Sequence, residues 1–150
     1  MKTTVTTVHR DNLDIFVNQF LDSIRPSVDA ATVIALEGDL GAGKTTFVTA
    51  LARALGCGDS VVSPTFVIMK LYAITHPQFS ALVHIDAYRL EGAPDLEKLR
   101  FREYCSNPEN IICIEWPSIV AESIPQSAIK IAITTIDEFT REFSVTLPYE

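Results

Sequence analysis

A glycine-rich stretch that ends in lysine and threonine is the part of this sequence whose residue types indicate chemistry most directly. Gly38, Gly43, Lys44 and Thr45 fit the pattern G-x-x-x-x-G-K-[ST]. Glycines let successive backbone N–H groups turn inward around an anion, and a helix that starts there adds the positive end of its dipole. The lysine of this pattern binds the outer phosphates of a nucleotide, and the threonine hydroxyl binds Mg²⁺. The stretch therefore predicts a nucleotide triphosphate site.

The neighbouring residues supply the strand and the helix that such a loop needs. An apolar run at 33–36 precedes it, and a segment with helical periodicity at 45–55 follows. Strand, loop and helix in this order distinguish a phosphate-binding loop from a Gly-rich turn that only links two elements. The predicted nucleotide-binding residues are Gly38, Asp39, Leu40, Gly41, Ala42, Gly43, Lys44, Thr45 and Thr46.

Two acidic residues at the ends of apolar runs are the next candidates for chemistry. Asp86 follows residues 82–85, and Glu115 follows residues 111–114. Ligands of α/β folds lie outside the carboxyl ends of the parallel strands, so both acids converge on the phosphates if their strands are neighbours. Carboxylates at this place bind the metal or its waters, or they orient the attacking water. For either acid alone, a helix N-cap or a solvated turn is the alternative.

Four further side chains are weaker candidates for the site, because each also has a purely structural interpretation. Thr65 lies in the segment Ser63-Pro64-Thr65-Phe66, where P-loop proteins often place a sensor of the γ-phosphate, although a proline-interrupted edge strand explains the segment equally well. Trp116 either stacks near the nucleotide base or packs in the core. Arg89 either clamps phosphates or pairs with a nearby acid. His84, flanked by apolar residues, is interpreted as a core histidine rather than a catalytic base.

Composition and charge narrow the classes of function. The 150 residues include 12 basic and 19 acidic ones, which gives a net charge of −7. Tight nucleic-acid binding depends on clustered Lys and Arg, so any nucleic acid is expected to be held mainly by another component. No apolar run approaches the roughly 20 residues that span a membrane, and the N-terminus lacks the apolar core of a signal peptide. The three cysteines are too few and too scattered for a disulfide framework or a zinc site. The expected location of the protein is therefore a reducing cytoplasm.

Hydrophobic periodicity predicts an α/β fold in a single domain, residues 1–150. The expected architecture is that of a P-loop NTPase: a mainly parallel central sheet flanked by helices, with antiparallel strands at the C-terminal end. Proline interrupts the extended segment 61–68, which favours an edge or switch segment over a central strand. The predicted helices span 13–24, 45–55 and 94–104, and the predicted strands span 5–8, 32–37, 81–86, 111–115, 128–134 and 141–146.

Four motifs occur in an order and spacing that resemble a known family. They are residues 38–46, residues 63–66, residues 84–90 (His-Ile-Asp-Ala-Tyr-Arg-Leu) and residues 114–117 (Ile-Glu-Trp-Pro). Together they resemble the TsaE (YjeE) family, the small ATPase of bacterial tRNA threonylcarbamoyladenosine synthesis, over roughly residues 32–117. The resemblance implies a P-loop fold, the ligands ATP and Mg²⁺, and ATP hydrolysis that supports a partner complex.

That complex attaches threonylcarbamoyl to an adenosine beside the tRNA anticodon. The implied partners are TsaD- and TsaB-like proteins, which would bring the tRNA indirectly, and no membrane is involved. Carried over residue by residue, the resemblance implies that Lys44 binds phosphate and that Thr45 and Glu115 bind Mg²⁺. It also implies that Asp86 acts in hydrolysis and that Thr65 lies in a switch-like segment. The implied catalytic set is thus Asp86, Lys44 and Thr65, with weak ATPase activity alone and stimulation by the partners.

Two departures from the family pattern stand beside the resemblance. Asn12 occupies a position where relatives often have a threonine that helps to hold the nucleotide, and Leu99-Arg100 stands where Leu-Gly is usual. Two alternative functions also remain open. One is a small P-loop kinase that phosphorylates a nucleoside or metabolite with Asp86 as its base. The other is a non-catalytic, nucleotide-gated interaction module.

Overall fold

A computed structural model describes residues 1–64 and 67–149. Within these residues, strands β1 to β7 form a single sheet. Their bounds are β1 (Lys2–His9), β2 (Thr32–Glu37), β3 (Met69–Ala73), β4 (Ala81–Asp86), β5 (Asn110–Glu115), β6 (Ile129–Asp137) and β7 (Thr140–Leu147). The order across the sheet is β1-β7-β6-β2-β5-β4-β3.

The middle of the sheet is parallel, and its two sides are antiparallel. Strands β6, β2, β5 and β4 run parallel to one another, whereas β3 pairs with β4 in the antiparallel sense, as do β7 with β6 and β1 with β7. The apolar runs of β2, β4 and β5 are buried because helices cover both faces of these strands. The predicted α/β fold with a parallel centre is confirmed, but the whole sheet is mixed: three of its strand pairings are parallel and three are antiparallel.

Four α-helices within the described residues flank this sheet. They are α1 (Leu13–Ser23), α2 (Lys44–Ala54), α3 (Ala93–Glu97) and α4 (Phe101–Cys105). Helices α1 and α2 bury Phe20 and Phe47 in an apolar cluster on one face, and α3 and α4 bury residues such as Leu96 on the other. None of the helices in the two described ranges is both long enough and apolar enough to cross a bilayer.

One strand direction differs from the prediction. Both C-terminal strands were expected to be antiparallel. They pair with each other in that sense, but β6 also lies parallel to β2, with Ile34 opposite Ile129. The chain leaves β5 through a 3₁₀ helix, Pro117–Ser123, and crosses the sheet before β6 begins. The alternating burial of β6 shows one covered face, and that pattern is the same for either strand direction.

The predicted helix 94–104 is wrong as a single element. It is two short helices, α3 and α4, separated at Arg100, whose φ of +63° is left-handed. An L-residue in this conformation cannot continue a right-handed helix. The break places Leu96 and Phe101 in the same buried cluster.

For the segment 61–68, an edge or switch segment was predicted; residues 65–66 lie outside the described residues, so the switch alternative stays a prediction. Residues 61–64 form no strand, and the edge strand β3 begins at Met69. Pro64 lacks the backbone N–H that a strand ladder requires, so regular pairing starts after it. The edge position that was predicted is therefore occupied by β3.

Candidate functional site

The loop between β2 and α2 needs glycine at both of its ends. A Cβ atom on Gly38 would lie 2.8 Å from the carbonyl oxygen of Ile133, so a side chain there would collide with the β6 backbone. Gly43 precedes the first residue of α2 with a φ of +106°, a conformation that L-residues rarely adopt. The first N–H groups of α2 have no acceptor within the helix. The loop therefore presents backbone donors to an anion.

Lys44 lies at the mouth of this loop with only 5% of its surface exposed. Its ammonium group donates to the backbone carbonyl oxygens of Gly38 and Asp39, the latter at 3.0 Å. The Nζ atom also lies 4.2 Å from the centroid of the Trp116 ring. These neutral partners compensate a buried cation only in part, so an anionic phosphate would be a stronger partner.

Glu115 ends β5 directly beside the loop. The Thr45 hydroxyl donates to Glu115 Oε2 at 3.0 Å, and Leu36 of β2 lies opposite Glu115 in the parallel register. Glu115 is 4% exposed. A hydroxyl and a carboxylate are oxygen ligands of the kind that Mg²⁺ prefers, and this ion usually takes one or two such groups together with phosphate oxygens. The two side chains fit a magnesium–nucleotide site.

Asp86 ends the next strand, β4, and lies opposite Glu115 in the register of the two strands. Its Oδ1 atom accepts a hydrogen bond from the Tyr88 backbone N–H at 3.0 Å. Both acids thus lie at the carboxyl edge of adjacent parallel strands, as the strand-end argument requires. Within the described ranges, no group of three or more His, Cys, Asp or Glu side chains could hold a metal ion by itself.

These residues border one cavity of about 270 Å³. A second cavity, of about 210 Å³, shares Gly43 and Thr46 with it and continues toward β1 and β7. A larger cleft, of about 450 Å³, lies beside the 3₁₀ helix and contains neither the loop nor Asp86 and Glu115. The first cavity is lined by Leu40, Gly41, Gly43, Lys44, Thr45, Thr46, Ser63, Asp86, Tyr88, Glu115 and Trp116.

Trp116 follows Glu115 in a left-handed conformation, with a φ of +59°. Its backbone N–H donates to the Leu36 carbonyl oxygen at 3.3 Å, which ties it to β2. Its ring centroid lies 5.2 Å from that of Tyr88 and stands over Lys44. This ring therefore lines the cavity beside Lys44. Strained backbone of this kind is typical of functional positions.

Two residues of the site were not identified from the sequence. His84 was interpreted as a core histidine, and it is fully buried, but its Nε2 atom lies 2.6 Å from Glu115 Oε2. Arg141 of β7 donates through Nε to the carbonyl oxygen of Ala42 at 2.9 Å. The signals for His84 were its place at the start of the motif 84–90 and its position two residues before Asp86, on the same side of β4. Arg141 is 99 residues from Ala42, and no local pattern identifies such a contact.

Three further positions from the sequence analysis are Thr65, Asn12 and Leu40. Thr65 lies outside the described residues, so its catalytic role stays a prediction. Asn12 precedes α1 and makes no side-chain capping hydrogen bond. Leu40 is 72% exposed at the rim of the cavity, where the loop meets solvent.

Cys113 lies on β5 two residues before Glu115 and is fully buried. Burial, and secondarily the charge of Glu115, raise the pKa of the Cys113 thiol well above its usual range. The thiol therefore stays neutral beside the acid, and it is a packing residue rather than a reactive thiolate. Cys57, Cys105 and Cys113 are all free thiols.

Comparison with known proteins agrees with this geometry. The family model described as threonylcarbamoyl adenosine biosynthesis protein TsaE matches residues 14–143. The chain is 39% identical to a Bacillus subtilis "tRNA threonylcarbamoyladenosine biosynthesis protein TsaE" over 114 residues, which cover 76% of this chain and 68% of the relative. It is 33% identical to the protein of the same name from Treponema pallidum, over 79% of this chain and 84% of the relative.

A solved structure supports the same relationship. The crystal structure of Bacillus subtilis YdiB superposes with a TM-score of 0.76 and 28% sequence identity. The match covers 99% of this chain and 87% of that structure.

Proposed function

This chain belongs to the TsaE family, and on that premise we propose that it is an Mg²⁺-dependent ATPase subunit for tRNA threonylcarbamoylation. Its role is to bind and hydrolyse ATP in support of a partner transferase complex that modifies an adenosine beside the anticodon. Residues 1–150 would form the one ATPase domain. The observation that carries this proposal is the 3.0 Å contact between the Thr45 hydroxyl and Glu115 Oε2.

This contact joins the two parts that a magnesium–triphosphate site requires. Thr45 is in the first turn of α2, where the loop presents its donors, and Glu115 ends a neighbouring parallel strand. We assign both as the protein's ligands to Mg²⁺, which when bound neutralises charge on the phosphate oxygens. Lys44 would exchange its carbonyl partners for the outer phosphates. Residues 38–46 would hold the triphosphate through backbone N–H groups.

The second cavity, of about 210 Å³, is the proposed site of the nucleotide base. It shares Gly43 and Thr46 with the first cavity, the one bordered by Lys44 and Glu115 and called the phosphate cavity below, so one continuous ligand can occupy both. Its walls include the rings of Phe139 and Phe143, which offer apolar surface to an adenine. Trp116, at the other end, would then contact the nucleotide at its phosphates, beside Lys44.

Asp86 is assigned to hydrolysis. Its carboxylate lines the same cavity as Glu115, and the Tyr88 N–H holds one of its oxygens. From this position it would orient the water that attacks the γ-phosphorus while ADP leaves. We also propose that Thr65 belongs to a switch-like segment that acts in hydrolysis.

The proposed partners are TsaD- and TsaB-like proteins, with tRNA reached only through them in the cytoplasm. The charge of −7 supports this division because a site for an RNA phosphate backbone requires clustered basic residues. In this arrangement ATP hydrolysis resets the complex rather than activating the modified base. The comparisons favour neither the kinase nor the non-catalytic module.

Reconstituted tRNA modification over many turnovers tests the proposal. We expect the TsaD–TsaB pair to modify tRNA repeatedly only when this chain and ATP are present. When the Glu115→Ala variant replaces the unmodified chain, repeated modification should stop. ATP hydrolysis is measured in the same reactions and should rise when the partners are added. Sustained modification without this chain, or efficient phosphorylation of a nucleoside by the isolated chain, would overturn the assignment.

A further inference from the structure

The side chain of His84 has one described hydrogen-bond partner, and that partner is the proposed metal ligand. Its ring is fully buried in β4, and Nε2 lies 2.6 Å from Glu115 Oε2. The other ring nitrogen, Nδ1, is buried without a hydrogen-bond partner in the part of the chain that the structure describes. A buried polar atom without a partner costs about 1–3 kcal/mol. An apolar side chain would avoid that cost, so packing alone does not explain a histidine here.

The bond to His84 shares its acceptor with a second bond. Oε2 of Glu115 accepts from the Thr45 hydroxyl at 3.0 Å and lies 2.6 Å from His84 Nε2, so both described bonds involve the same oxygen. Two side chains from different elements, α2 and β4, therefore contact one carboxylate oxygen. The other oxygen, Oε1, takes neither bond.

We propose that His84 is a positioning residue for Mg²⁺ binding: it donates from Nε2 to Glu115 and holds that carboxylate in the orientation that the ion requires. Acceptance by a carboxylate requires a proton on Nε2. Partners of this kind orient metal-binding carboxylates, and their loss lowers metal affinity about 10–100-fold. The inference rests on the proposed function because it requires Thr45 and Glu115 to bind the ion.

The magnesium dependence of nucleotide binding tests this role. ADP affinity is measured across a series of Mg²⁺ concentrations for the unmodified chain, His84→Leu and His84→Gln. We expect His84→Leu to need about 10–100-fold more Mg²⁺ for half-maximal tightening, with unchanged ADP affinity in EDTA. His84→Gln keeps an N–H donor near the position of Nε2. This variant should therefore need a Mg²⁺ concentration close to that of the unmodified chain.

A matched control separates positioning from stability. Ile111 is fully buried on the neighbouring strand β5, and Ile111→Val costs about 0.5–1.5 kcal/mol of folding free energy without removing a donor. It should leave the magnesium dependence unchanged. If His84→Leu also leaves that dependence unchanged, the proposal is wrong. If the unmodified chain shows no magnesium dependence, the metal assignment itself fails.

Nitrogen-15 spectra of the histidine side chains give a second test that needs no variant. The chain has three histidines, and His9 and His76 provide references on more exposed surface. We expect His84 to have its proton on Nε2 in the free protein, and its Nε2 signal to shift when Mg²⁺ is added with ADP. A proton on Nδ1 with a bare Nε2 would overturn the proposal, even if His84→Leu does not fold.

Discussion

The Thr45 hydroxyl donates to Glu115 Oε2 at 3.0 Å, although 70 residues separate the two side chains in the chain. The bond connects the start of α2 to the end of β5, and it becomes possible because β2 and β5 are adjacent parallel strands. Both groups are oxygen ligands, so the contact gives the phosphate loop the carboxylate that a magnesium site needs.

Replacement of Glu115 tests this contact directly. We expect Glu115→Ala to lower ATP turnover at least about 100-fold, because loss of a metal ligand removes several kcal/mol of charge stabilisation. Glu37→Ala is the matched control, since Glu37 ends the neighbouring strand and accepts from the Ser118 N–H at 3.1 Å, outside the phosphate cavity. Turnover is measured by phosphate release. Activity of Glu115→Ala equal to that of the control would contradict the metal assignment.

Lys44 and Trp116 provide an optical test of nucleotide binding. Trp116 is the single tryptophan of the sequence, and Lys44 Nζ lies 4.2 Å from its ring centroid. Addition of MgATP should change the tryptophan emission, because the ammonium group is drawn toward the phosphates. Lys44→Ala should show no such change and negligible turnover, whereas Lys98→Ala, which removes an exposed lysine, should behave normally. An unaltered nucleotide response in Lys44→Ala would count against the loop as the binding site.

Arg141 is expected to hold the phosphate loop against the β6–β7 hairpin. Arg141→Ala removes a hydrogen bond from a charged donor to the Ala42 carbonyl, which should lower the free energy of unfolding by about 1.5–3 kcal/mol and weaken ATP binding. Arg141→Lys should not restore either property because Lys lacks the planar group that also reaches the Asp137 and Thr140 carbonyls. Urea denaturation and ATP titration measure the two effects. If Arg102→Ala, an exposed replacement on α4, is equally harmful, the proposed link is wrong.

Arg100 gives a stability prediction independent of the site. Its φ of +63° costs an L-residue about 1–2 kcal/mol, whereas glycine adopts it freely at a smaller entropic cost. Arg100→Gly should therefore raise the free energy of unfolding, by up to about 1 kcal/mol. Arg102→Gly, within the regular turn of α4, should lower it by about 1 kcal/mol. Urea denaturation midpoints of the two variants should move in opposite directions, and a shared direction would contradict the left-handed assignment.

The phosphate loop and the central strands could be predicted from local sequence patterns alone. The strands 32–37 and 81–86 were predicted with the bounds that the structure gives, because each is a continuous apolar run that only a doubly covered strand can bury. The loop could be identified because its pattern is contiguous, and the strand-end rule placed Asp86 and Glu115 at the same edge without knowledge of the strand order.

The tertiary structure alone decided the direction of β6, the break at Arg100 and the contacts of His84 and Arg141. Alternation of side chains is the same in parallel and antiparallel strands, so the crossover after β5 had to set the direction of β6. A buried histidine looks the same in sequence whether its partner is a backbone carbonyl or Glu115. Such partners lie on other strands and become neighbours only when the sheet closes, and periodicity along one segment holds no information about them.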